Sequence, residues 1–244
     1  MKPSREPCDR STKAQTSIVQ SSPFVQSDKH GSSLLGGLWH TRRTKRRIPE
    51  ILPKGRLAFF VTRNIHKFFE ARSILAEYRI ATAMLRIETV EIQDDNLEFI
   101  AEATATDAVE KCRLPIIVED AGLFITELKG FPGPYSSYVY RTIGPKGILK
   151  LMKGKDRRVA QFRSVIAFKG PKEPMKCFHG NVSGEISMKE RGSSGFGFDP
   201  IFKPLNSHLT FAEMPTEEKS KCSHRAQALR KFAEWYLSKP QRSF

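Results

Sequence analysis

From Leu57 onward, apolar residues recur in two alternating rhythms. Leu57–Val61 is an unbroken apolar run of strand length, and roughly His66–Tyr78 sets Phe69, Ile74 and Leu75 on one helical face. A strand is expected within Ala81–Ile87. A helix is expected over Leu97–Cys112, where Leu97, Ile100, Ala101, Ala105, Ala108 and Val109 keep near-helical spacing. Leu114–Val118 is short and wholly apolar, as in a strand buried on both faces, and Leu123–Leu128 reads as a further strand after Gly122. A short helix follows over Gly144–Lys153. Val159–Phe168 and Met175–Val182 flank a Gly170-Pro171 turn and read as a hairpin, and Ser223 stands ready to cap a last helix running to about Leu237. Helices interleaved with strands, plus one antiparallel pair, predict an α/β protein with a mixed sheet.

Residues 1–55 follow neither rhythm. They are rich in Ser, Thr, Lys and Arg, and such a segment buries too little surface to offset its ordering entropy. The expectation is a disordered basic extension in front of a folded domain over 56–244. Of the formal charge of +15, residues 1–56 supply +8, with 12 Lys/Arg against 4 Asp/Glu. This balance permits a polyanionic partner. Nucleic-acid contact by the tail, centred on Arg42-Arg43-Thr44-Lys45-Arg46-Arg47, is one reading, part of an organelle transit peptide another, and a plain solvated tail a third. No apolar stretch approaches the roughly 20 residues of a membrane span, so no membrane partner is expected. The start of the chain has no apolar block of signal-peptide kind, which points to a cytoplasmic protein. Cys8, Cys112, Cys177 and Cys222 show neither metal-ligand nor redox spacing and read as free thiols.

Four segments carry candidate chemistry. Thr62-Arg63-Asn64-Ile65-His66-Lys67 joins a strand to a helix, where backbone N–H groups and the positive end of the helix dipole face one spot. With Asn64 as cap and Lys67 as a point charge, that spot suits a polyphosphate. Glu119-Asp120 ends an apolar strand, where α/β proteins bind ligands, and adjacent strand positions point to opposite sides, so one of the two is expected to face the site. Such carboxylates suit magnesium, and Glu91 is a candidate second ligand, or else a solvated loop residue. Gly192–Pro200 combines glycines with Phe196 and Phe198, whose rings could stack on a base, and Asp199, which could orient a partner; the alternative is a glycine-rich hairpin with core aromatics. Finally Lys219 and Ser223-His224-Arg225 place donors at a helix start.

Taken in order along the chain, these segments resemble the noncanonical purine nucleoside triphosphate pyrophosphatase family, the inosine triphosphatase (RdgB-like) enzymes. The likeness rests on Thr62–Lys67, Val118–Leu123, Gly130-Phe131-Pro132-Gly133-Pro134-Tyr135-Ser136, Gly195–Phe202, Thr210–Met214 and Ser223–Arg225, and is closest in wording to archaeal members. The resemblance implies a two-lobed fold with an elongated mixed sheet and a nucleotide cleft between the lobes. It implies hydrolysis of inosine, deoxyinosine and xanthosine triphosphates to monophosphate and pyrophosphate, Mg2+ (or Mn2+) as cofactor, and a homodimer.

By the same resemblance, Asp120 is the proton acceptor and, with Glu91, a metal ligand. Thr62, Arg63, Asn64, Ile65, His66 and Lys67 cradle the triphosphate. Ala121, Phe196, Gly197, Phe198, Asp199, Lys219, His224 and Arg225 complete the nucleotide site. Ala121 stands where many relatives carry Ser or Thr, so any contact there must come from the backbone. Ala103 and Ser137 stand where some relatives place lysines. Two other readings stay open: a Maf-like nucleotide pyrophosphatase of different base specificity, and a nucleic-acid-binding protein acting through its tail.

Overall fold

The computed structural model describes residues 56–240, and the expectations for residues 1–55 lie outside them. Strand β1 (Arg56–Val61) runs into helix α1 (Ile65–Glu77), which returns through β2 (Ile80–Leu85), parallel to β1. After α2 (Leu97–Cys112) comes β3 (Ile116–Ile125), then the two-residue β4 (Pro132–Gly133) and the short helices α3 (Ser136–Thr142) and α4 (Gly144–Leu151). Two long strands, β5 (Val159–Lys169) and β6 (Lys176–Ile186), form the expected hairpin. Strand β7 (Phe202–Pro204) and helices α5 (Thr216–Cys222) and α6 (His224–Ser238) close the chain.

The seven strands make one mixed sheet in the order β2-β1-β3-β5-β6-β7, with β4 paired to β3. β1 meets β3 only at Phe59–Phe60, whereas β3 pairs antiparallel with β5 along all ten residues. The central strand therefore continues well past the parallel half, and the sheet is long with a different set of helices at each end.

Alternation along the strands sorts the core. Phe60, Ile117, Ile166 and Phe168 face one side with Ile74 and Leu75 of α1 and Leu229 and Phe232 of α6. Val61, Ile116, Val118, Val165 and Ala167 face the other and are covered by the alanine-rich stripe of α2. The far end of the sheet carries a separate core: Leu123, Ile125, Phe162 and Ile186 pack with Val139, Ile148, Phe202 and Phe211. This is the expected two-lobed α/β arrangement.

One expectation needs correction, and two helices had not been foreseen. Leu114–Val118 and Leu123–Leu128 are not separate strands; Glu119 to Gly122 keep their pairing with Ile166, Val165, Ser164 and Arg163, so β3 is continuous and the carboxylates lie in mid-strand. Charge at these positions imitates a strand end, but here it is neutralised from neighbouring elements. Helices α3 and α5 had no periodic signal, the first being aromatic and the second Thr-Glu-Glu-Lys-Ser-Lys-Cys.

Helix α6 is set down directly on β6 at Gly180. A Cβ built there would lie 1.9 Å from the His224 carbonyl oxygen and 2.7 Å from the Ala228 nitrogen, both backbone atoms that cannot swing aside. Gly180→Ala is therefore expected to cost about 1–3 kcal/mol by overpacking, seen as a lower Tm in thermal unfolding; an unchanged Tm would show that α6 has slack against the sheet.

Candidate active site

Where the lobes meet, a cleft of about 850 Å³ opens, lined by Thr62–Lys67, by part of the Ile87–Asp94 segment, by Val118–Gly122 of β3, by Pro134–Ser137 with Tyr140 and Arg141, by Phe196–Asp199 and by His224–Arg225. Six separated segments of the sequence thus converge on one space. Lys219 does not reach the cleft surface; it sits behind the wall, 2.7 Å from both Glu70 Oε1 and Asp199 Oδ2. Its Nζ also lies 5.0 Å from the ring of Phe196, which lines the cleft.

At the β1–α1 turn, Asn64 caps the helix: its Oδ1 accepts from the His66 and Lys67 N–H groups at 3.0 and 3.2 Å, and its own N–H donates to Thr62 Oγ1 at 3.1 Å. Two of the N–H groups expected to face a phosphate are therefore already bonded within the turn, as is usual for an Asn cap. The loop's cationic contribution comes from side chains. Lys67 Nζ lies 2.9 Å from Glu119 Oε2, and Arg63 is ion-paired with Glu91 at the exposed rim. Among the described residues Glu91 lines the same cleft as Asp120, but its side chain is 74% exposed and partnered by Arg63 rather than sequestered.

Behind the cleft lies a buried ionic network. Arg225 Nε donates to Glu119 Oε1 at 3.1 Å, and its Nη1 pairs with Glu70. Glu119 also accepts from Ser164 Oγ at 2.7 Å, and Asp199 accepts from the Phe196 N–H at 2.8 Å. Gly195 makes the last contact possible: its φ is +76°, and a Cβ would come 2.2 Å from Asp199 Oδ2. Glu70 and Glu119 were not singled out in the sequence as members of this network. The spacing Asn64, Lys67, Glu70, three apart on one helical face, was the available signal for Glu70.

Burial alone would raise the Glu119 carboxyl, but Arg225 and Lys67 outweigh it and hold the group well below the usual carboxylate range. Glu70 follows the same pattern under Arg225 and Lys219. Asp120 behaves in the opposite way. Burial pushes it up to about 6, with Glu119 adding to the rise and Lys67 opposing it, and its Oδ2 is buried with no hydrogen-bond partner among the described residues. His224 is buried, stacked 4.6 Å from Phe162, and desolvation drives its pKa down, so the imidazole is neutral. The aromatic residues divide. Phe198 is 3% exposed and packed edge-on to Tyr140, so it is core rather than a stacking face, while half-buried Phe196 lies against His66 at 5.2 Å.

The region Lys67, Lys219 and Arg225 against Glu70, Glu119, Asp120 and Asp199 is short of one positive charge. An unpartnered carboxylate oxygen on that side of the balance fits a hard divalent cation held by oxygen donors. Asp120 would hold it, with Glu91 as the second carboxylate on the cleft.

Comparison with known proteins bears on the family and the fold. The model of the Ham1 family matches residues 58–235. The "dITP/XTP pyrophosphatase" of Methanopyrus kandleri is 49% identical over 177 residues, covering 72% of this chain and 94% of its own. The protein of the same name from Thermococcus kodakarensis is 49% identical over 180 residues, covering 74% and 96%. Among solved structures, the Ham1 protein of Staphylococcus aureus superposes with a TM-score of 0.67 at 26% identity, covering 76% of this chain and 100% of its own. A HAM1 protein from Coxiella burnetii gives 0.68 at 27%, covering 75% and 100%.

The opposed shifts of the two carboxylates have opposite consequences for stability. The native state holds the Asp120 proton between the ordinary aspartate value and about 6, so that residue's contribution falls as pH rises through this window and is unfavourable above it. Asp120→Asn is therefore expected to raise Tm at pH 7.5 by a few degrees, from roughly 1–3 kcal/mol, and to leave Tm nearly unchanged at pH 4. Glu119 contributes stability that is present above the ordinary glutamate value and lost as pH falls, and Glu119→Gln strands Lys67 and Arg225 at a cost of about 3–5 kcal/mol. Thermal melts of both variants across pH check the signs; a lower Tm for Asp120→Asn at pH 7.5 would contradict the assignment.

Proposed function

Since this chain belongs to the Ham1 family, we propose that it hydrolyses deaminated purine nucleoside triphosphates, inosine, deoxyinosine and xanthosine triphosphates, to the monophosphate and pyrophosphate. The observation that carries this reading is the pairing, in one cleft, of an unpartnered carboxylate on β3 with a cationic strand-to-helix turn. The first fits a metal and a water; the second fits the anionic tail of a nucleotide. Bound Mg2+ would neutralise charge on the triphosphate and on the leaving pyrophosphate.

The chain's own residues divide the remaining work. Asp120, pushed up to about 6 and so largely ionised at neutral pH, can accept the proton of an attacking water while retaining useful basicity. Lys67 and Arg63 line the cleft and are assigned to the phosphates, and Thr62 and Asn64 fix the turn that carries them. At the base end, Arg225 is clamped by Glu119 and Glu70 and cannot turn away. A guanidinium only donates. It therefore favours the 6-keto oxygen of a deaminated purine over the donating amino group of adenine, which would leave hydrogen bonds unmade at about 1–3 kcal/mol each.

Self-association fits the exposed aromatic strip of Phe131, Tyr135, Tyr138 and Tyr140 beside the cleft, and we assign it as the homodimer surface. No helix among the described residues is long and apolar enough to cross a membrane. A cytoplasmic site of action follows from the proposed nucleotide-pool substrates. Residues 1–55 are proposed as a separate extension dispensable for chemistry.

Pyrophosphate release from a panel of nucleoside triphosphates tests the whole reading. Inosine and xanthosine triphosphates should be preferred over adenosine triphosphate, with activity dependent on added Mg2+. A chain lacking residues 1–55 should retain it, and Asp120→Asn should lower kcat by at least ~100-fold. Wild-type turnover by Asp120→Asn, or release of orthophosphate instead of pyrophosphate, would overturn the assignment.

A further inference from the structure

On the face of β6 turned away from α6, four metal-ligating side chains of three kinds meet. Glu98 and Glu102 stand one turn apart on α2, and Cys177 and His179 stand two apart on β6, so each pair shares a face of its element. One ligand atom each of Glu98, Glu102 and Cys177 lies within 4.8 Å of the others. Cys177 Sγ is 3.7 Å from Glu102 Oε1, and His179 Nε2 is 3.4 Å from Glu98 Oε2.

We propose that Glu98, Glu102, Cys177 and His179 form a second divalent-cation site, selective for zinc-like ions and separate from the nucleotide cleft. The donor set carries the choice of ion. Oxygen donors alone would suit magnesium or calcium, whereas a sulfur and an imidazole beside carboxylates suit a borderline-soft cation in four-coordinate geometry. Such a site, with bonds of about 2.0–2.3 Å, sets its ligand atoms roughly 3.3–3.8 Å apart. The Cys177–Glu102 and His179–Glu98 pairs stand at that separation; His179 lies outside the three-residue cluster, and its exposed imidazole would turn inward to complete the set. Without a cation, burial and the two neighbouring carboxylates push the Cys177 thiol up to about 12. A bound cation reverses that balance, with the thiol proton leaving to solvent as the sulfur–metal bond forms.

Cys177 and the two glutamates did not stand out in the sequence because the pairs are 75 residues apart and neither alone has a recognised metal spacing. Their position gives the site a structural consequence. Ile100 and Thr104, between and beyond the two glutamates, line the nucleotide cleft, so a cation here would pin the helix that forms part of that cleft.

The test uses the full chain, freed of metal by chelator and kept in excess Mg2+ so that oxygen-donor positions are filled. Titration with Co2+ should give a thiolate-to-cobalt absorption that saturates at one equivalent and is displaced by Zn2+. Cys177→Ser should abolish the band, His179→Gln should weaken binding by roughly tenfold or more, and Cys112→Ser and Cys222→Ser should leave it intact. Zn2+ at a hundredfold excess over Kd should raise Tm by about 5–10 °C in the parent chain and not in Cys177→Ser. His179 is exposed, so its variant remains informative even where Cys177→Ser folds poorly. No cobalt–thiolate band in the parent chain, or a band that survives both Cys177→Ser and His179→Gln, overturns the proposal.

Discussion

Everything at the head of the cleft depends on holding four carboxylates and three cations in one largely buried corner. Removing such charges from water costs several kcal/mol each, and only near-complete pairing makes the arrangement tolerable. Glu119 meets that demand with Lys67, Arg225 and Ser164, and Glu70 meets it by bridging Lys219 and Arg225. Asp120 is left over. Burial raises Asp199 as well, but Lys219 stands 2.7 Å from it, whereas Asp120 has no ion-pair partner among the described residues and is the open position of the group. That open position faces the cleft, which is where a site expected to take a cation and a polyanion should spend its unfavourable energy.

The network also explains why the lobes share one continuous strand. Its members come from several elements: α1 gives Lys67 and Glu70, β3 gives Glu119 and Asp120, α5 gives Lys219, and α6 gives Arg225. Glu119 and Asp120 sit on β3 just beyond its parallel contact with β1, where the covering helices change from one set to the other. A strand that ended there would leave the carboxylates on a mobile turn. Antiparallel pairing with β5 on both sides of Asp120 fixes their direction to the precision of a sheet.

How much of this could be read from the chain follows from which signals are local. The long helices, the hairpin and the caps at Asn64 and Ser223 rest on periodicity and spacing within a few residues, and the sequence displays them openly. The break expected after Val118 was false because charge within a strand looks the same, in sequence, as charge at its end; only the partners on α1 and α6 distinguish the two. Phe196 and Phe198 are two residues apart in a glycine-rich loop and chemically identical, yet one is half-buried against His66 and the other is 3% exposed and packed into the core at the cleft wall. The resemblance located the segments that converge, but not that Lys219 is paired with both Glu70 and Asp199. Which side chain touches and which one holds is decided by packing across long sequence separations.

The same division bears on selectivity. A flexible cation at the base end would adapt to almost any purine, because its hydrogen-bond partners could be exchanged with water. Arg225 is fixed by two carboxylates and enclosed at 3% exposure, so its donors have a set direction before any ligand arrives. Neutral His224, stacked on Phe162, is similarly immobile. Discrimination built this way comes from the penalty on the wrong base as much as from attraction to the right one. It also means that truncating Arg225 removes a structural ion along with a donor, leaving Glu119 and Glu70 short of a partner. Changes in base preference at this position are therefore interpretable only beside a measurement of stability, and the more conservative Arg225→Lys, which keeps the charge but loses the two-armed geometry, separates recognition from folding.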